Sequence, residues 1–292
     1  MKLNIGQLLT SSSKKINQLD AEILLAHVIK KSREFLFTNP DFEINFWQKI
    51  KFENLVIQRQ KNIPVAYLVG HKEFFGLDFL VNKNVLVPRP DTELMVEETL
   101  KHLNTLSPNY NNVLLIDVGT GSGCIPISIR KSVLSAYPNL PTIAIDVSKK
   151  TLCVAKKNAK KHTVKIKFLH GNLLEPILKI EHGSNGLNGF EQIIVTANLP
   201  YITEQQFQNE QSIQHEPKIA LVAENDGLAL YEKILQQIKQ ITNTYNLKPK
   251  TYFEIDPIQT DKIKILIKKY LPESNIEVKK DLAGLDRLVI IT

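Results

Sequence analysis

Two short polar turns carry the residues with the clearest chemical use in this sequence. The first follows the apolar run Val113–Val118 and reads Gly119-Thr120-Gly121-Ser122-Gly123. Glycines at this spacing let the backbone turn tightly and approach a ligand, and the N–H groups of a following helix can face that ligand. The pattern G-x-G-x-G after Asp117 favours S-adenosylmethionine over a dinucleotide, whose fingerprint places the third glycine one residue later. All five loop residues are therefore predicted to bind this cofactor.

The second turn, Asn198-Leu199-Pro200-Tyr201, follows the apolar run Gln192–Thr196. An amide or exocyclic amine is a poor nucleophile because its lone pair is delocalised into the neighbouring π system. The side-chain oxygen of Asn198 and the carbonyl of Leu199 could accept its two N–H groups and hold the nitrogen in line with a sulfonium methyl group, while Tyr201 packs on the plane. The turn is therefore predicted to be both catalytic and substrate-binding.

Three further residues, at the ends of two predicted strands, are predicted to complete the cofactor site. Asp146 ends the second predicted strand, where an acidic residue of a nucleotide-binding fold accepts the ribose hydroxyl groups. The alternative role for Asp146 is to cap the helix that follows Ser148. Asn172 and Leu173 end the third predicted strand, where they would hydrogen-bond and flank an adenine ring.

Alternating strands and helices predict the sheet that positions these turns. The predicted strands are Val113–Val118, Thr142–Asp146, Lys165–Leu169, Gln192–Thr196 and Lys250–Ile255. The predicted helices are Ile125–Ala136, Lys149–Lys161, Leu228–Thr242 and Ile258–Leu271. The last two β runs, Ile276–Lys280 and Leu288–Ile291, are joined by a connection short enough for a hairpin, which only antiparallel strands allow. The expected class is α/β, a mostly parallel Rossmann-like sheet with an antiparallel last strand.

The chain before this sheet has a different pattern, since its apolar residues recur at helical spacing up to about Lys61. One helix is predicted around Leu19–Val28 with Asn17 or Asp20 as its N-cap, and another over Asn45–Gln60 with an apolar stripe. That stripe is predicted to contain Phe46, Ile50, Leu55 and Ile57. We expect a helical domain over residues 1–70, a β-hairpin linker over 71–90 and the catalytic domain over 91–292.

The predicted linker centres on Gly76 and leads into Pro88-Arg89-Pro90-Asp91-Thr92-Glu93. The prolines forbid helix until Asp91 or Thr92 can cap one that runs to about Leu106. A capped helix explains the prolines and leaves Arg89 unexplained, so Arg89 is assigned to the substrate site. Of the longer loops, 182–189 is predicted to be an insertion and Thr203–Glu224 to lie over a pocket.

Composition limits the class of protein. The chain has 292 residues, 43% of them apolar, with a formal net charge of +7 and a pI near 9.1. Lysine occurs along the whole chain, so we do not expect direct nucleic-acid binding. Cys124 and Cys153 form no metal-binding or disulfide pattern, and both are predicted to be reduced packing residues without a metal. With no apolar segment of membrane-spanning length, we expect a soluble, cytoplasmic monomer.

Taken together, these segments resemble the HemK/PrmC family, methyltransferases that modify the glutamine of the Gly-Gly-Gln motif in class-1 peptide chain release factors. The likeness covers nearly the whole chain, including Pro88–Glu93, Asp117–Gly123 and the segment Asp281-Leu282-Ala283-Gly284 with Arg287. It implies that the glycine loop, Asp146 and Asn198 bind S-adenosylmethionine. It also implies that Asn198–Tyr201 holds the glutamine and that the N-terminal helices recognise the release factor.

Three departures from the family pattern leave alternatives open. Leu199 stands where the family has proline, Asn172 stands where it usually has aspartate, and Glu224-Asn225-Asp226-Gly227 has fewer glycines. Asn-Leu-Pro-Tyr is also similar to the turn of ribosomal RNA adenine dimethyltransferases, which makes an RNA adenine the second candidate substrate. Those enzymes carry their substrate domain after the catalytic fold, whereas the helical segment here precedes it. A module that binds S-adenosylmethionine or a release factor without catalysis is the third hypothesis.

Overall fold

The computed structural model describes residues 3–106, 112–179, 187 and 189–292, which form two compact units. The first unit contains the chain up to His71 together with Glu210–His215, and the second contains Lys72–Asn209 and Glu216–Thr292. The expected insertion at 182–189 lies almost entirely outside the described residues. None of the described helices combines the length and apolar character that crossing a bilayer requires. The domain boundaries at residues 70 and 90 stay predictions.

The first unit is helical, as its periodicity predicts. Its elements are β1 (Leu3–Asn4), α1 (Ile5–Ser12), α2 (Gln18–Ile29), α3 (Arg33–Thr38), β2 (Glu43–Ile44), α4 (Phe46–Gln60) and α5 (Val65–Val69). The side chain of Asn17 accepts the N–H of Leu19 at 2.8 Å, so Asn17 rather than Asp20 caps α2. Asp20 instead pairs with Arg59 of α4 at 2.6 Å.

The apolar stripe predicted for α4 is wrong at two positions. Its buried residues are Phe52, Leu55 and Val56, while Phe46 is 67% and Ile57 51% exposed. Phe52, Leu55 and Val56 are three and four residues apart and share one helix face, from which Ile57 is turned away. Phe46 lies in the first turn, where its ring packs edge-on against Trp47.

The second unit begins with a hairpin and continues as an α/β sheet. Its elements are β3 (His71–Phe74), β4 (Leu77–Leu80), α6 (Glu93–Thr105), β5 (Val113–Val118), α7 (Cys124–Ser132), β6 (Thr142–Asp146), α8 (Lys149–Lys161), β7 (Lys167–His170), α9 (Glu175–Leu178), β8 (Gln192–Ala197), α10 (Glu204–Asn209), α11 (Ala229–Tyr245), β9 (Lys250–Glu254), α12 (Thr260–Tyr270), β10 (Ile276–Lys280) and β11 (Asp286–Ile291). Short 3₁₀ turns lie at Pro90–Thr92, Lys218–Ala220 and Pro257–Gln259 of this unit, and another at Gln211–Ile213 belongs to the first unit.

Within the described residues, seven strands form one sheet in the order β10-β11-β9-β8-β5-β6-β7. Strands β5 to β9 are parallel, and β11 is antiparallel to both β9 and β10, which confirms the predicted sheet class. From β5 the chain proceeds to β6 and β7 on one side and then returns to β8 on the other. The strand order therefore reverses between β5 and β8, the position at which open α/β sheets bind ligands.

Helices cover both faces of this sheet because its central strands are apolar on both sides. In β5, Leu114 and Ile116 belong to a core shared with α11 and α12, whereas Val113 and Leu115 belong to the opposite core shared with α6 and α7. All six residues of β5 are buried. The central strand is thereby held rigidly, and so is the start of the glycine loop that follows it.

Most element ends differ by a few residues from prediction. Strand β7 starts at Lys167 instead of Lys165, since it pairs only with Ile143–Asp146 of β6. Helix α7 ends at Ser132 instead of Ala136, and the Arg130 guanidinium donates to the carbonyls of the turn that follows. The β3–β4 hairpin is confirmed: Phe75 and Gly76 both have positive φ, as a two-residue type I′ turn requires. Cys153 is exposed, so its predicted packing role is wrong.

Candidate active site

A cavity of about 430 Å³ lies at the carboxyl ends of β5, β6, β7 and β8. It brings together most of the residues that the sequence predicts for the site. Its lining includes Gly119, Gly121, Asp146, Asn172, Leu173, Asn198, Leu199 and Pro200. Thr120, Ser122, Gly123, Tyr201 and Arg89 are not part of the lining, and the first two are buried.

The glycine loop is tied to the neighbouring strand and to the second predicted turn. The N–H groups of Gly119 and Thr120 both donate to the carbonyl of Ile145. Gly119 has a φ of +72°, and a Cβ at this position would lie 3.2 Å from Cδ2 of Leu199. A side chain at residue 119 would therefore be strained by its backbone conformation and crowded by Leu199.

Asp146 bridges two turns at the edge of the cavity. Its Oδ2 accepts the N–H of Gly121 at 3.1 Å and its Oδ1 accepts the N–H of Ser148 at 2.9 Å. Burial raises the pKa of this carboxyl, and the two N–H groups partly offset that effect. The helix cap proposed as the alternative role belongs to Ser148, whose hydroxyl accepts the N–H of Thr151.

Asp117, which precedes the glycine loop, is fully buried beneath it. Its Oδ1 accepts the hydroxyl of Thr196 at 2.7 Å, and its Oδ2 has no hydrogen-bond partner within the described part of the chain. Burial raises the pKa of the Asp117 carboxyl to about 7. Interaction with the hydroxyl groups of Thr120 and Thr196 opposes this increase, and Asp117 is not part of the cavity lining.

The side chain of Asn198 is held by one hydrogen bond, at its amide nitrogen. Its Nδ2 donates to the Thr92 hydroxyl oxygen at 3.1 Å. Thr92 is 3% exposed and stands at the N-cap of α6, but its side chain makes no capping hydrogen bond, so the predicted capping role is wrong. Among the described residues, no group donates to Oδ1 of Asn198. That oxygen is therefore the part of the amide that is available to a ligand.

The other residues of the second turn are supported from beneath. The carbonyl of Leu199 lies 3.4 Å from the Tyr231 hydroxyl, which also donates to the carbonyl of Glu254. The Tyr201 hydroxyl lies 3.4 Å from Oε1 of Glu254, and Gln259 donates to the Tyr201 carbonyl at 2.8 Å. Burial raises the pKa of Tyr201, so this hydroxyl is a hydrogen-bond donor at neutral pH.

Gly227 explains how closely the segment after the pocket approaches this turn. A Cβ at Gly227 would lie 1.9 Å from the carbonyl oxygen of Tyr201, and its φ is +81°. The preceding Asn225 and Asp226 also have positive φ, which these two residue types tolerate better than others do. This segment has fewer glycines than the family pattern, but Asn225 and Asp226 can still adopt the backbone conformation that it requires.

Arg89 is engaged in an ion pair. Its guanidinium lies 2.5 Å from Oε1 of Glu216, whose side chain is 1% exposed and whose Oε2 accepts the N–H of Val87. The neighbouring acids are engaged as well, since Asp91 lies 3.4 Å from Arg287 and Glu93 accepts the N–H of Phe75. The segment Pro88–Glu93 is thus fixed by its side chains to three other parts of the second unit.

Several lining and supporting residues were missed from the sequence. Thr92 and Glu254 support the second turn, and residues 83–86 also line the cavity. Pro217, Ile219 and Ala220 also line it, which confirms that part of Thr203–Glu224 lies over the pocket. Glu254 could have been found from its position, since it ends a strand next to β8 as Asp146 ends one next to β5. In the described ranges, no group of three or more acidic, histidine or cysteine side chains could hold a metal ion.

Known proteins resemble this chain in sequence and in fold. Residues 5–70 match the model of the PrmC N-terminal domain, and residues 110–269 match that of a methyltransferase domain. The release factor glutamine methyltransferase of Bacillus anthracis is 33% identical over 270 residues, which cover 92% of this chain and 90% of that protein. The enzyme of the same name from Enterococcus faecalis is 39% identical over 78% of this chain and 75% of its own. The chain belongs to the release factor glutamine methyltransferase family.

A solved structure supports the fold assignment. The N-terminal domain of human METTL16 in complex with SAH is 17% identical, with a TM-score of 0.51 over 92% of this chain and 93% of that one. At this identity the likeness concerns the fold, and it agrees with the Rossmann-like methyltransferase sheet described above.

Proposed function

We propose that this protein transfers the methyl group of S-adenosylmethionine to the side-chain amide nitrogen of the glutamine in the Gly-Gly-Gln motif of class-1 peptide chain release factors. Family membership supports the reaction and the substrate. The observation that carries the assignment within the site is Asn198, whose amide nitrogen is held by Thr92 and whose Oδ1 is left as an acceptor beside the cavity.

S-adenosylmethionine supplies an electrophilic methyl group on a sulfonium, and the cavity has groups that fit such a molecule. The Asp146 carboxylate has remaining lone pairs for the ribose hydroxyl groups, since each of its oxygens accepts only one N–H. Asn172 and Leu173 also line the cavity and would hydrogen-bond and flank the adenine ring. Gly119 and Gly121 line the cavity and add no side chains to it.

Asn198 and Leu199 would orient the nucleophile. A primary amide has two N–H groups in one plane, and the Oδ1 of Asn198 and the carbonyl of Leu199 are two acceptors on adjacent residues. Accepting both hydrogens fixes the plane and concentrates electron density on nitrogen as it attacks the methyl carbon. The proton can leave after transfer, so no side chain has to act as a base beforehand. Tyr201 and Pro200 would bound the planar group.

The partner and the cellular location follow from the same proposal. Residues 1–70, most of which match the PrmC N-terminal domain, are proposed to recognise the release factor. A protein that modifies release factors acts where translation takes place, which places it in the cytoplasm.

The substrate is tested by methyl transfer from radiolabelled S-adenosylmethionine to three acceptors. These are a class-1 release factor, the same factor with the motif glutamine changed to alanine, and naked ribosomal RNA. Label is expected only in the unaltered factor. Equal labelling of the altered factor would exclude the motif glutamine, and strong labelling of RNA would favour the adenine reaction suggested by the Asn198-Leu199-Pro200-Tyr201 turn.

Catalysis is separated from binding with Asn198→Ala. We expect turnover to fall by on the order of a hundredfold, because a preorganised contact to the reacting group is lost. Asn104→Ala is the matched control, since Asn104 is exposed on α6. Binding of S-adenosylmethionine by the wild-type protein without transfer to any acceptor would favour the non-catalytic module.

A further inference from the structure

We propose that the second unit binds the phosphate backbone of double-helical RNA through a lysine-rich surface formed by α8 and the start of β7. This α8–β7 surface contains Lys149, Lys150, Lys156, Lys157, Lys160, Lys161, Lys165 and Lys167, and all eight residues are exposed. None of them lines the cavity at the glycine loop, so the surface is separate from the candidate active site. RNA is the expected nucleic acid on the basis of the proposed function, because a protein that modifies release factors works where ribosomal RNA is abundant.

The α8–β7 surface holds the whole excess of positive charge in the chain. Between Asp146 and Glu175 the sequence has no acidic residue. The chain has 37 Lys and Arg residues against 30 Asp and Glu, so without these eight lysines the remaining 29 basic residues would nearly balance the acidic ones. Lysine occurs along the whole chain, but its excess over acidic residues does not. Such a concentration of one charge on one face is typical of a surface that binds a polyanion.

Six of these lysines lie on one side of α8. At about 3.6 residues per turn, the lysines from Lys149 to Lys161 fall within an arc of about 140° around the helix axis. The leucine, valine and alanine residues of α8 are buried on its other side. Within the described part of the chain, only Lys161 of the α8–β7 surface pairs with an acidic residue, Asp78, at 2.5 Å. The protein therefore leaves most of this charge to a partner.

A groove of about 660 Å³ is lined by residues from both parts of this surface. Its lysines are Lys156 and Lys160 of α8 together with Lys165 and Lys167. Strand β7 is at the edge of the sheet, and lysine on an edge strand also prevents pairing with other chains. That role would account for Lys165 and Lys167 and would leave the six lysines of α8 unexplained. A concave surface with four ammonium groups fits the rounded, negatively charged backbone of a nucleic-acid helix.

The chemistry of the α8–β7 surface favours RNA over a protein or a membrane. Protein-binding surfaces are depleted in lysine and depend on large apolar or aromatic anchors. A helix that enters a membrane surface also exposes apolar side chains. Of the large hydrophobic side chains that are exposed in the described residues, none belongs to residues 149–167. Aromatic groups on which single-stranded bases could stack are therefore missing as well, so we expect contacts to the backbone that do not read sequence.

RNA binding is measured directly with the full chain. The probes are two fluorescein-labelled RNA hairpins of unrelated sequence, and Kd is obtained from fluorescence anisotropy between about 50 and 200 mM KCl, the range over which phosphate contacts weaken strongly. The surface variant is Lys156→Gln/Lys160→Gln/Lys167→Gln, which removes three charges that line the groove. Unfolding in urea shows whether the variants are folded, as expected for changes at exposed positions.

The matched control is Lys233→Gln/Lys239→Gln/Lys248→Gln, which removes the same charge from exposed positions on and after α11. Helix α11 packs on the opposite face of the sheet from Ala159 of α8. We expect the surface variant to raise Kd by at least about tenfold at about 50 mM KCl, and the control by less than about threefold. The slope of log K against log salt should become shallower by about 2–3 in the surface variant, since each lost phosphate contact lowers it by about 1.

Equal weakening by the surface variant and the control would overturn the inference, because net charge alone would then explain binding. A strong preference for one hairpin would contradict backbone recognition, and tighter binding of a DNA duplex of the same sequence would overturn the choice of RNA. If the surface variant binds RNA normally but loses binding to phosphatidylcholine–phosphatidylserine vesicles, the partner is a membrane. If it binds RNA normally but raises KM for the release factor, the partner is that protein.

The binding assay also separates this inference from the proposed function, since it requires no methyl transfer. A wild-type chain that binds both hairpins through the α8–β7 surface and does not methylate a release factor would contradict only the proposed function. A chain that methylates the factor and binds neither hairpin would contradict only the RNA-binding surface.

Discussion

The Oδ2 atom of Asp146 accepts the N–H of Gly121 at 3.1 Å, so the carboxylate that ends β6 is fixed to the loop that follows β5. The same carboxylate accepts the N–H of Ser148 through its other oxygen. Two turns on neighbouring strands thereby share one acidic group at the edge of the cavity. Its orientation is set before any ligand binds, which reduces the ordering that binding would otherwise require.

Removing this carboxylate should weaken binding of S-adenosylmethionine. For Asp146→Ala we expect the dissociation constant, measured by titration calorimetry, to rise by about 5- to 150-fold, as for loss of a charged acceptor worth about 1–3 kcal/mol. Asp146→Asn keeps one acceptor oxygen and should have an intermediate effect. Asp261→Ala, an exposed change on α12, is the control. Unchanged affinity in Asp146→Ala would remove Asp146 from the cofactor site.

The cofactor half of the site could largely be predicted from the sequence. Gly119 directly follows β5 and Asp146 ends β6, two strands whose residues are almost all buried, whereas Asn172 follows the less buried edge strand β7. Local pattern and the geometry of a parallel sheet were enough to bring these three residues together. The start of β7 was predicted wrongly because Lys165 and Ile166 have strand-like pattern, while only residues opposite Ile143–Asp146 find a partner.

The support beneath the second turn could not be predicted in this way. Thr92 precedes an acidic residue and a helix, which locally indicates an N-cap. Its hydroxyl instead contacts Asn198, 106 residues later in the chain. Nothing in the local sequence distinguishes these two uses, because the second depends on the tertiary arrangement of α6 and β8. The same holds for Arg89, whose partner Glu216 lies 127 residues away.

Restoring the family proline at position 199 should stiffen the turn. Proline restricts the preceding residue to an extended backbone, which would limit the motion of Asn198. Among the described residues, the Leu199 N–H donates no hydrogen bond that proline would remove. The buried Leu199 side chain does contribute to the core, so the gain and the loss in stability should nearly cancel. We expect Leu199→Pro to keep or raise kcat, with a Tm within a few degrees of the wild type.

Leu199→Ala serves as the comparison because it removes the same packing without the constraint. It should lower Tm and should not raise kcat. A Leu199→Pro variant with a kcat below that of Leu199→Ala would show that the proline constraint hinders catalysis in this chain and contradict the prediction.

Arg89 should matter more for stability than for substrate affinity. Its partner Glu216 is buried, so Arg89→Met would leave a carboxylate without its counter-ion. We expect the free energy of unfolding to fall by about 1–3 kcal/mol, less than for a fully buried pair because the Arg89 side chain is 36% exposed. The double variant Arg89→Met/Glu216→Gln should recover part of the loss, since glutamine can still accept the N–H of Val87. If KM for the release factor rises while stability is unchanged, Arg89 binds substrate, as predicted from the sequence.

The stability of the protein should depend on pH through Glu254. Burial raises the pKa of this carboxyl from 4.5 to about 7, against the opposing effects of Thr92, Arg287 and Tyr201, and Asp91 adds to the increase. Between pH 4.5 and about pH 7, the folded protein therefore retains a proton on Glu254 that the unfolded protein has already released. The contribution of Glu254 to the free energy of unfolding is therefore fully present below pH 4.5 and is lost as the pH rises through about 7.

Glu254→Gln removes this proton equilibrium and retains the side-chain shape. Asp117, whose pKa is also raised to about 7, and other groups titrate equally in both proteins, so the difference between wild type and variant isolates Glu254. Measured by urea unfolding at pH 5 and pH 8, the free energy of unfolding of Glu254→Gln relative to wild type should increase by about 1–3 kcal/mol between the two pH values. A difference that is constant with pH, or that decreases, would mean that Glu254 is ionised in the folded protein throughout this range.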